Sequence, residues 1–210
     1  MKHPPRPRDR EAIKAWNRQK VIDAAIAVIN TEGIADITIA RVIELAEVSM
    51  GLVNLHFESK ERMLEAALRY MAAQYNAHWR QALEMAPDDA CGRVRALVLA
   101  DLDPVVMNQK TLGVWYAFRA QARTRSVFVS LVGSRDDQMS EQYAKQFERL
   151  NREHGRSHDP DIVTRALIAM LEGIWTEFFL YPKEFDRSHA LAMLALYLEA
   201  LYPVSFDLKK

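Results

Sequence analysis

The octapeptide Ser49-Met50-Gly51-Leu52-Val53-Asn54-Leu55-His56 puts an amide, an imidazole and several apolar groups on a stretch of about two helical turns. With Leu52, Val53 and Phe57 turned inward, the free side carries Met50, Gly51, Asn54 and His56. Small and polar groups of this kind suit close approach to base-pair edges, read through amide, apolar and shape contacts. The octapeptide holds no arginine or lysine to grip guanine, so affinity must come from elsewhere. Gly51 costs about 1 kcal/mol against alanine inside a helix. It therefore points to something near the backbone, either an outside partner or a tightly packed neighbouring helix. Lys60 falls in the first turn of the next helix. A cation there opposes the helix dipole, so either it is a mild surface cost or, the preferred reading, an anion such as phosphate lies close by.

These groups need a frame, and the flanking residues supply one. Ile39, Val42, Ile43 and Ala46 recur at helical spacing, Glu47-Val48 interrupts them, and Ser49 can cap a second short helix. Ser59 can cap a third helix through Met63, Leu64, Ala67, Leu68 and Met71, ending near Met85 before Pro87. Upstream, Ile22, Ala25, Ile26 and Ile29 form the inner stripe of a helix that ends near Gly33 and packs behind the reading pair. Residues 1–20 contain Lys2, Arg6, Arg8, Arg10, Lys14, Arg18 and Lys20 against only Asp9 and Glu11, with prolines at 4, 5 and 7. This is a basic arm, suited to phosphates or a minor groove when DNA is present and to a solvated tail otherwise.

In combination, Ala46-x-Val48-Ser49-x-Gly51 followed by His56-Phe57-x-x-Lys60-x-x-x-Leu64 resembles the N-terminal domain of the TetR family of transcriptional repressors. The resemblance implies an all-α protein, with a three-helix DNA-binding head at 18–64 entered from the flexible arm at 1–20. A helical effector-binding and dimerisation domain follows at 65–210. By the same resemblance Thr38 opens the first helix of the motif, Ser49 to His56 is the recognition segment, and Lys60 contacts backbone phosphate. The implied DNA contacts are Thr38, Ser49, Met50, Gly51, Leu52, Asn54, Leu55, His56 and Lys60, with Arg6, Arg8, Arg10, Lys14 and Arg18 from the arm. The sequence departs from the family pattern in two places. Glu47 stands where the turn usually has glycine, and Asn54-Leu55 replaces the usual aromatic pair.

The chain of 210 residues is half apolar, enough for a substantial core in one or two domains, and its 28 basic residues balance 28 acidic ones. Positive charge is therefore a matter of the arm, not of the whole. The single cysteine, Cys91, excludes an intramolecular disulfide framework, fits a reducing cytoplasm and reads as a packing residue. The longest uncharged run, Ser188 to Leu198, is shorter than the roughly 20 apolar residues a membrane span needs. Helical periodicity predicts further helices at 89–102, 104–123 with a break, 126–153, 161–180 and 187–202. The last two are strongly apolar. Paired across two chains they would make a four-helix homodimer interface, as the family resemblance implies, and put two heads on one operator.

Two aromatic groups raise the question of a small-molecule effector. Trp115 and Phe118 share one helical face, as do Glu172, Trp175 and Phe179. Two readings stay open: stripes that fill the core, or rings and a carboxylate that converge on an organic cation. The segments Trp115-x-Ala117-Phe118-x-Ala120 and Glu172-Gly173-Ile174-Trp175 resemble the choline-responsive branch of the same family, although Arg119 stands where a further ring is expected. That resemblance implies choline or a related quaternary ammonium as effector, in control of glycine betaine synthesis. A repressor answering to a different aromatic or cationic ligand, a helical ligand-binding protein that leaves DNA alone, and a helical adaptor for another protein are the alternatives. The phosphate-loop, dinucleotide, zinc-protease and nucleophile-elbow motifs are all absent from the sequence, so neither enzyme nor cofactor is expected. His154 and His158 have metal-like spacing beside Asp159 but lack a clear further ligand, and no metal is expected.

Overall fold

The computed structural model describes residues 5–122 and 126–208, which form helices and connecting turns without a strand. In chain order the helices are α1 (Arg10–Glu32), α2 (Ile39–Ala46), α3 (Met50–His56), α4 (Lys60–Met85), α5 (Ala90–Asp101), α6 (Gln109–Ala122), α7 (Ser126–His154), α8 (Pro160–Leu180) and α9 (Arg187–Leu201). Their starts are written in the sequence. Asp9, Thr38, Ser49, Asp89, Asp159 and Asp186 each accept a hydrogen bond from a backbone N–H of the first turn. Ser59 does the same for α4, accepting from the Arg62 N–H at 3.2 Å.

The helices fall into two compact units, one made of residues to Ala73 with Gly113–Val132, the other of Gln74–Leu112 with Gly133 onward. The boundary expected after residue 64 thus lies inside α4, and the first unit also recruits parts of α6 and α7. A boundary drawn at the end of the motif could not anticipate this, because a long helix buries successive faces in different cores.

Unit 1 is closed by α1, whose Val21, Ile22, Ala25, Val28 and Ile29 are buried with Val42, Ala46, Val53, Phe57 and Leu64. Gly33 ends α1 at φ 86°, its N–H bonded to the Ile29 carbonyl. The expected arm is corrected here. Arg10, Lys14 and Arg18 lie in the first turns of α1, because Asp9 caps the helix two residues after the last proline. Only Pro5 to Asp9, with Arg6 and Arg8, precede it among the described residues; Lys2 and Pro4 lie outside them.

Glu47 occupies the turn between α2 and α3 at φ 51°, ψ 50°, the left-handed region. That explains why glycine suits this position: a side chain there costs about 1–2 kcal/mol, partly offset by glycine's larger entropy loss on folding. Glu47→Gly is expected to raise the stability by about 1 kcal/mol, a gain of about 2–4 °C in melting temperature. Thermal unfolding followed by circular dichroism checks this, and a lower melting temperature would show that Glu47 contributes contacts worth more than the strain.

In unit 2 the ring planes of Tyr143, Phe147 and Tyr202 stack in a column, with centroids 6.2 and 5.9 Å apart. His158 meets Tyr202 edge-on at 5.5 Å and its Nε2 lies 3.0 Å from the Leu201 carbonyl. Backbone and ring contacts thus absorb the histidine singled out for metal-like spacing. The C-terminal segment folds back onto α5. Phe206 and Leu208 are buried, Arg95 donates to the Asp207 carbonyl at 2.8 Å, and the Cys91 thiol to the Ser205 carbonyl at 3.3 Å. Burial, reinforced by Asp89, pushes that thiol up to about 11, so at neutral pH it stays protonated and packs. The expected helix at 104–123 begins only at Gln109. Asn108 sets its start, its side-chain oxygen accepting from the Thr111 N–H at 2.9 Å, and residues 102–108 make the preceding turn.

Candidate nucleic-acid interface and effector cavity

The reading surface is built by α2, its strained turn and α3. Val53 and Phe57 anchor α3 in the core, and Leu52, expected among the contacts, packs partly against the same core. Met50 is 49% exposed and Leu55 72%, and Asn54 is exposed with them. Gly51 decides between the two readings left open. A Cβ at this position would meet no atom of another helix, the nearest being the Ser49 Oγ at 4.0 Å. The glycine therefore answers to no neighbouring helix.

Around this surface the cations sort by what they already hold. Arg41 is tied to Glu32 and Glu44, each at 2.7 Å. Arg62 and Arg69 share Glu65 at 3.0 and 2.8 Å, which holds that carboxyl below its usual range. Arg18 lies 5.3 Å from the centre of the Phe57 ring. His56 stands 6.2 Å from the same ring, and burial, followed by the charges of Lys14 and Arg18, lowers its proton affinity below the ordinary imidazole value. Lys14, Arg18 and His56 therefore share one electrostatic neighbourhood. Thr38 spends its hydroxyl on the α2 cap at 3.2 Å, Ser49 accepts from Leu52 at 3.3 Å, and Lys60 opens α4 half-buried.

Unit 2 holds a small cavity. Its space of about 20 Å³, room for roughly one water, is lined by the rings of Tyr75 and Trp175 and by the carboxyl-bearing Asp101 and Glu172. Met139, Ile168 and Leu171 complete its apolar wall. The two rings meet edge to face, 6.2 Å apart at 89°. Asp101 fixes both of them: its carboxylate accepts from the Tyr75 hydroxyl at 2.5 Å and its carbonyl from the Trp175 Nε1–H at 3.0 Å. Beside it the Tyr143 hydroxyl is fully buried and lacks a hydrogen bond of good geometry among the described residues. Burial, then the Asp101 charge, pushes that phenol well above its ordinary value, so it stays protonated.

The structure therefore brings together Glu172 and Trp175 of the expected effector residues, and not the others. Trp115 and Phe118 belong to the core of unit 1, where Phe118 meets Phe128 edge-on at 5.2 Å. Phe179 is half-buried and not among the cavity's lining residues, and its carbonyl accepts from Gln109. For Trp115 and Phe118 the core reading holds. Sequence reasoning missed Tyr75 and Asp101. Asp101 did leave a signal, a carboxylate closing the apolar run Ala96 to Ala100 on a helix otherwise bound for burial.

Residues 90–203 match the family described as "BetI-type transcriptional repressor, C-terminal", and residues 21–67 match "Bacterial regulatory proteins, tetR family". The chain belongs to the TetR family. It is a TetR-family transcriptional repressor with a BetI-type C-terminal domain, and that match begins at the first residue of α5. The family is one of regulators, not of enzymes. The regulator BetI of Serratia proteamaculans is 25% identical over 182 residues, covering 86% of this chain and 90% of that protein. BetI of Pectobacterium carotovorum is 27% identical over 184 residues, 87% and 92% of the two chains. Among solved structures, a transcriptional regulator from Pseudomonas aeruginosa superposes with a TM-score of 0.82 at 22% identity, over 92% of each chain. One from Saccharomonospora viridis, solved in complex with choline, gives 0.78 at 20% identity, over 88% of this chain and 96% of that one. TetR-family regulators bind DNA operators and small-molecule effectors as dimers, and no described helix of this repressor is long and apolar enough to cross a membrane.

Proposed function

We propose that this repressor releases its operator when choline, or a closely related quaternary ammonium, enters the unit 2 cavity, and that it controls glycine betaine synthesis. The observation that carries the reading is one cavity with two aromatic rings and two carboxyl groups around it. Each ring face attracts an ammonium by about 0.5–2 kcal/mol, and a carboxylate adds Coulomb attraction that a neutral ligand forgoes. The BetI relatives and the choline-bound fold neighbour support the same chemistry. Because the cavity holds little more than a water, an organic cation has to move its walls, and such a difference between empty and filled states is what couples two sites. Helix α4 carries Lys60 in its first turn and Tyr75 farther along, so one element takes part in both sites.

Dimerisation runs through α8 and α9 in this reading. Their exposed lines carry Ile162, Ala169, Gly173 and Leu180 on one helix and Met193, Leu196 and Ala200 on the other. A Cβ on Gly173 would meet nothing within 4 Å, so a small residue there leaves room for a helix from a second copy. Fluorescence anisotropy on promoter fragments, with sedimentation for mass, tests the whole. A dimer that prefers one fragment, binds it less tightly as salt rises and loses at least tenfold in affinity with choline is expected. Equal affinity for all fragments at moderate salt would remove the operator, and indifference to choline would remove the effector.

A further inference from the structure

We infer that Asp101, rather than Glu172, is the counter-ion of the effector site, and that it makes the cavity selective for a cationic head group over a neutral one of the same shape. The inference rests on the effector reading above and sharpens it to one residue.

Both acidic residues line the cavity, but they differ in what water does to them. Asp101 is 3% exposed, whereas Glu172 is half-buried. A charge in a poorly solvated interior acts on a neighbour several-fold more strongly than one that water screens. Position adds to burial. Asp101 is the last residue of α5, where the helix dipole presents its negative end, so dipole and carboxylate act together on the same space. An acid at a helix C-terminus and out of water runs against both preferences of its type, which marks it as a candidate for function. The Arg187 guanidinium already donates to the Leu102 carbonyl at this helix end, and a cationic ligand adds to that relief.

Asp101 is also the residue that shapes the site. Its carboxylate takes the Tyr75 hydroxyl at 2.5 Å while its carbonyl takes the Trp175 indole at 3.0 Å, so one residue sets the orientation of both rings. The buried Tyr143 hydroxyl also neighbours the Asp101 carboxyl, although Tyr143 is not among the residues that line the cavity. The resulting preference is for one positive head group, with a second negative group repelled. Choline fits that description; the zwitterion glycine betaine, whose carboxylate would face Asp101, does not.

The test measures calorimetric binding of choline, tetramethylammonium, glycine betaine and 3,3-dimethylbutan-1-ol, the neutral carbon analogue of choline, to the full-length protein. The wild type is expected to favour choline over the neutral analogue and over glycine betaine by at least tenfold. Asp101→Asn should reduce the preference over the neutral analogue to less than threefold, and Glu172→Gln should keep it above tenfold. Loss of the preference in Glu172→Gln, or its survival in a folded Asp101→Asn, overturns the assignment while leaving choline as effector. If Asp101→Asn does not fold, the result for Glu172→Gln decides alone, retention supporting Asp101 and loss excluding it. Tetramethylammonium bound in an Asp101-dependent way without choline keeps the counter-ion and removes choline. Failure of both cations to bind overturns both.

Discussion

Gly51→Ala is expected to raise the stability of this repressor while weakening its hold on DNA. Within the chain the added methyl group meets open space, the nearest atom being the Ser49 Oγ at 4.0 Å, and alanine is favoured over glycine in a helix by up to about 1 kcal/mol. Folding therefore gains. At the DNA surface the same methyl group projects from a helix whose exposed neighbours are Met50, Asn54 and Leu55. Overpacking a fitted contact costs about 1–3 kcal/mol, and a dimer meets that cost once per head, so operator affinity should fall at least tenfold. Urea unfolding and anisotropy on the same preparation give the two signs. Unchanged affinity would mean that nothing approaches the backbone there, and lower stability would bring back a packing role.

Trp175→Ala should cost about 3–5 kcal/mol of unfolding free energy, the range for emptying a large buried aromatic site. The indole is 5% exposed, meets Tyr75 edge-on, and donates the hydrogen bond that the Asp101 carbonyl accepts. Truncation removes all three and leaves a buried carbonyl short of a donor. At about 2–4 °C per kcal/mol the melting temperature should drop by about 6–20 °C. Loss of effector binding in that variant would mix lost contact with lost structure. Trp175→Phe keeps one aromatic ring while losing the pyrrole part of the indole with its N–H, so it should cost less than the alanine variant and retain a cation-binding face. Denaturant midpoints for the pair check this, and a cost below 1 kcal/mol for the alanine variant would remove Trp175 from the core.

How much of this was legible beforehand differs between the two sites. The reading head is local. Thr38, Ser49 and Ser59 cap helices a few residues away, the apolar spacing of α2 and α3 fixes which side faces in, and the left-handed turn falls on Glu47, the position where the family pattern has glycine. The arm was half legible: its charge was plain, but Asp9 turns Arg10, Lys14 and Arg18 into helix. The cavity is assembled from α4, α5, α7 and α8, with Asp101 separated by 74 positions from Trp175. Periodicity identifies faces within one helix and says nothing of which faces meet. That is why Glu172 and Trp175, which share one helical face, can be paired from the sequence, whereas Tyr75 and Asp101, which line the same cavity from other helices, cannot, and why Trp115 and Phe118 are grouped with them although they lie in the core of unit 1.

By itself the sequence determined most of the helices, their caps and the helix-turn-helix outline, because those depend on hydrogen bonds and spacings within a few turns. Only the tertiary structure decided that Gly51 faces open space, that α4 serves two units and that a buried aspartate accepts hydrogen bonds from two rings. Each of these depends on contacts or distances between residues far apart in the chain, and burial and electrostatic strength follow from them.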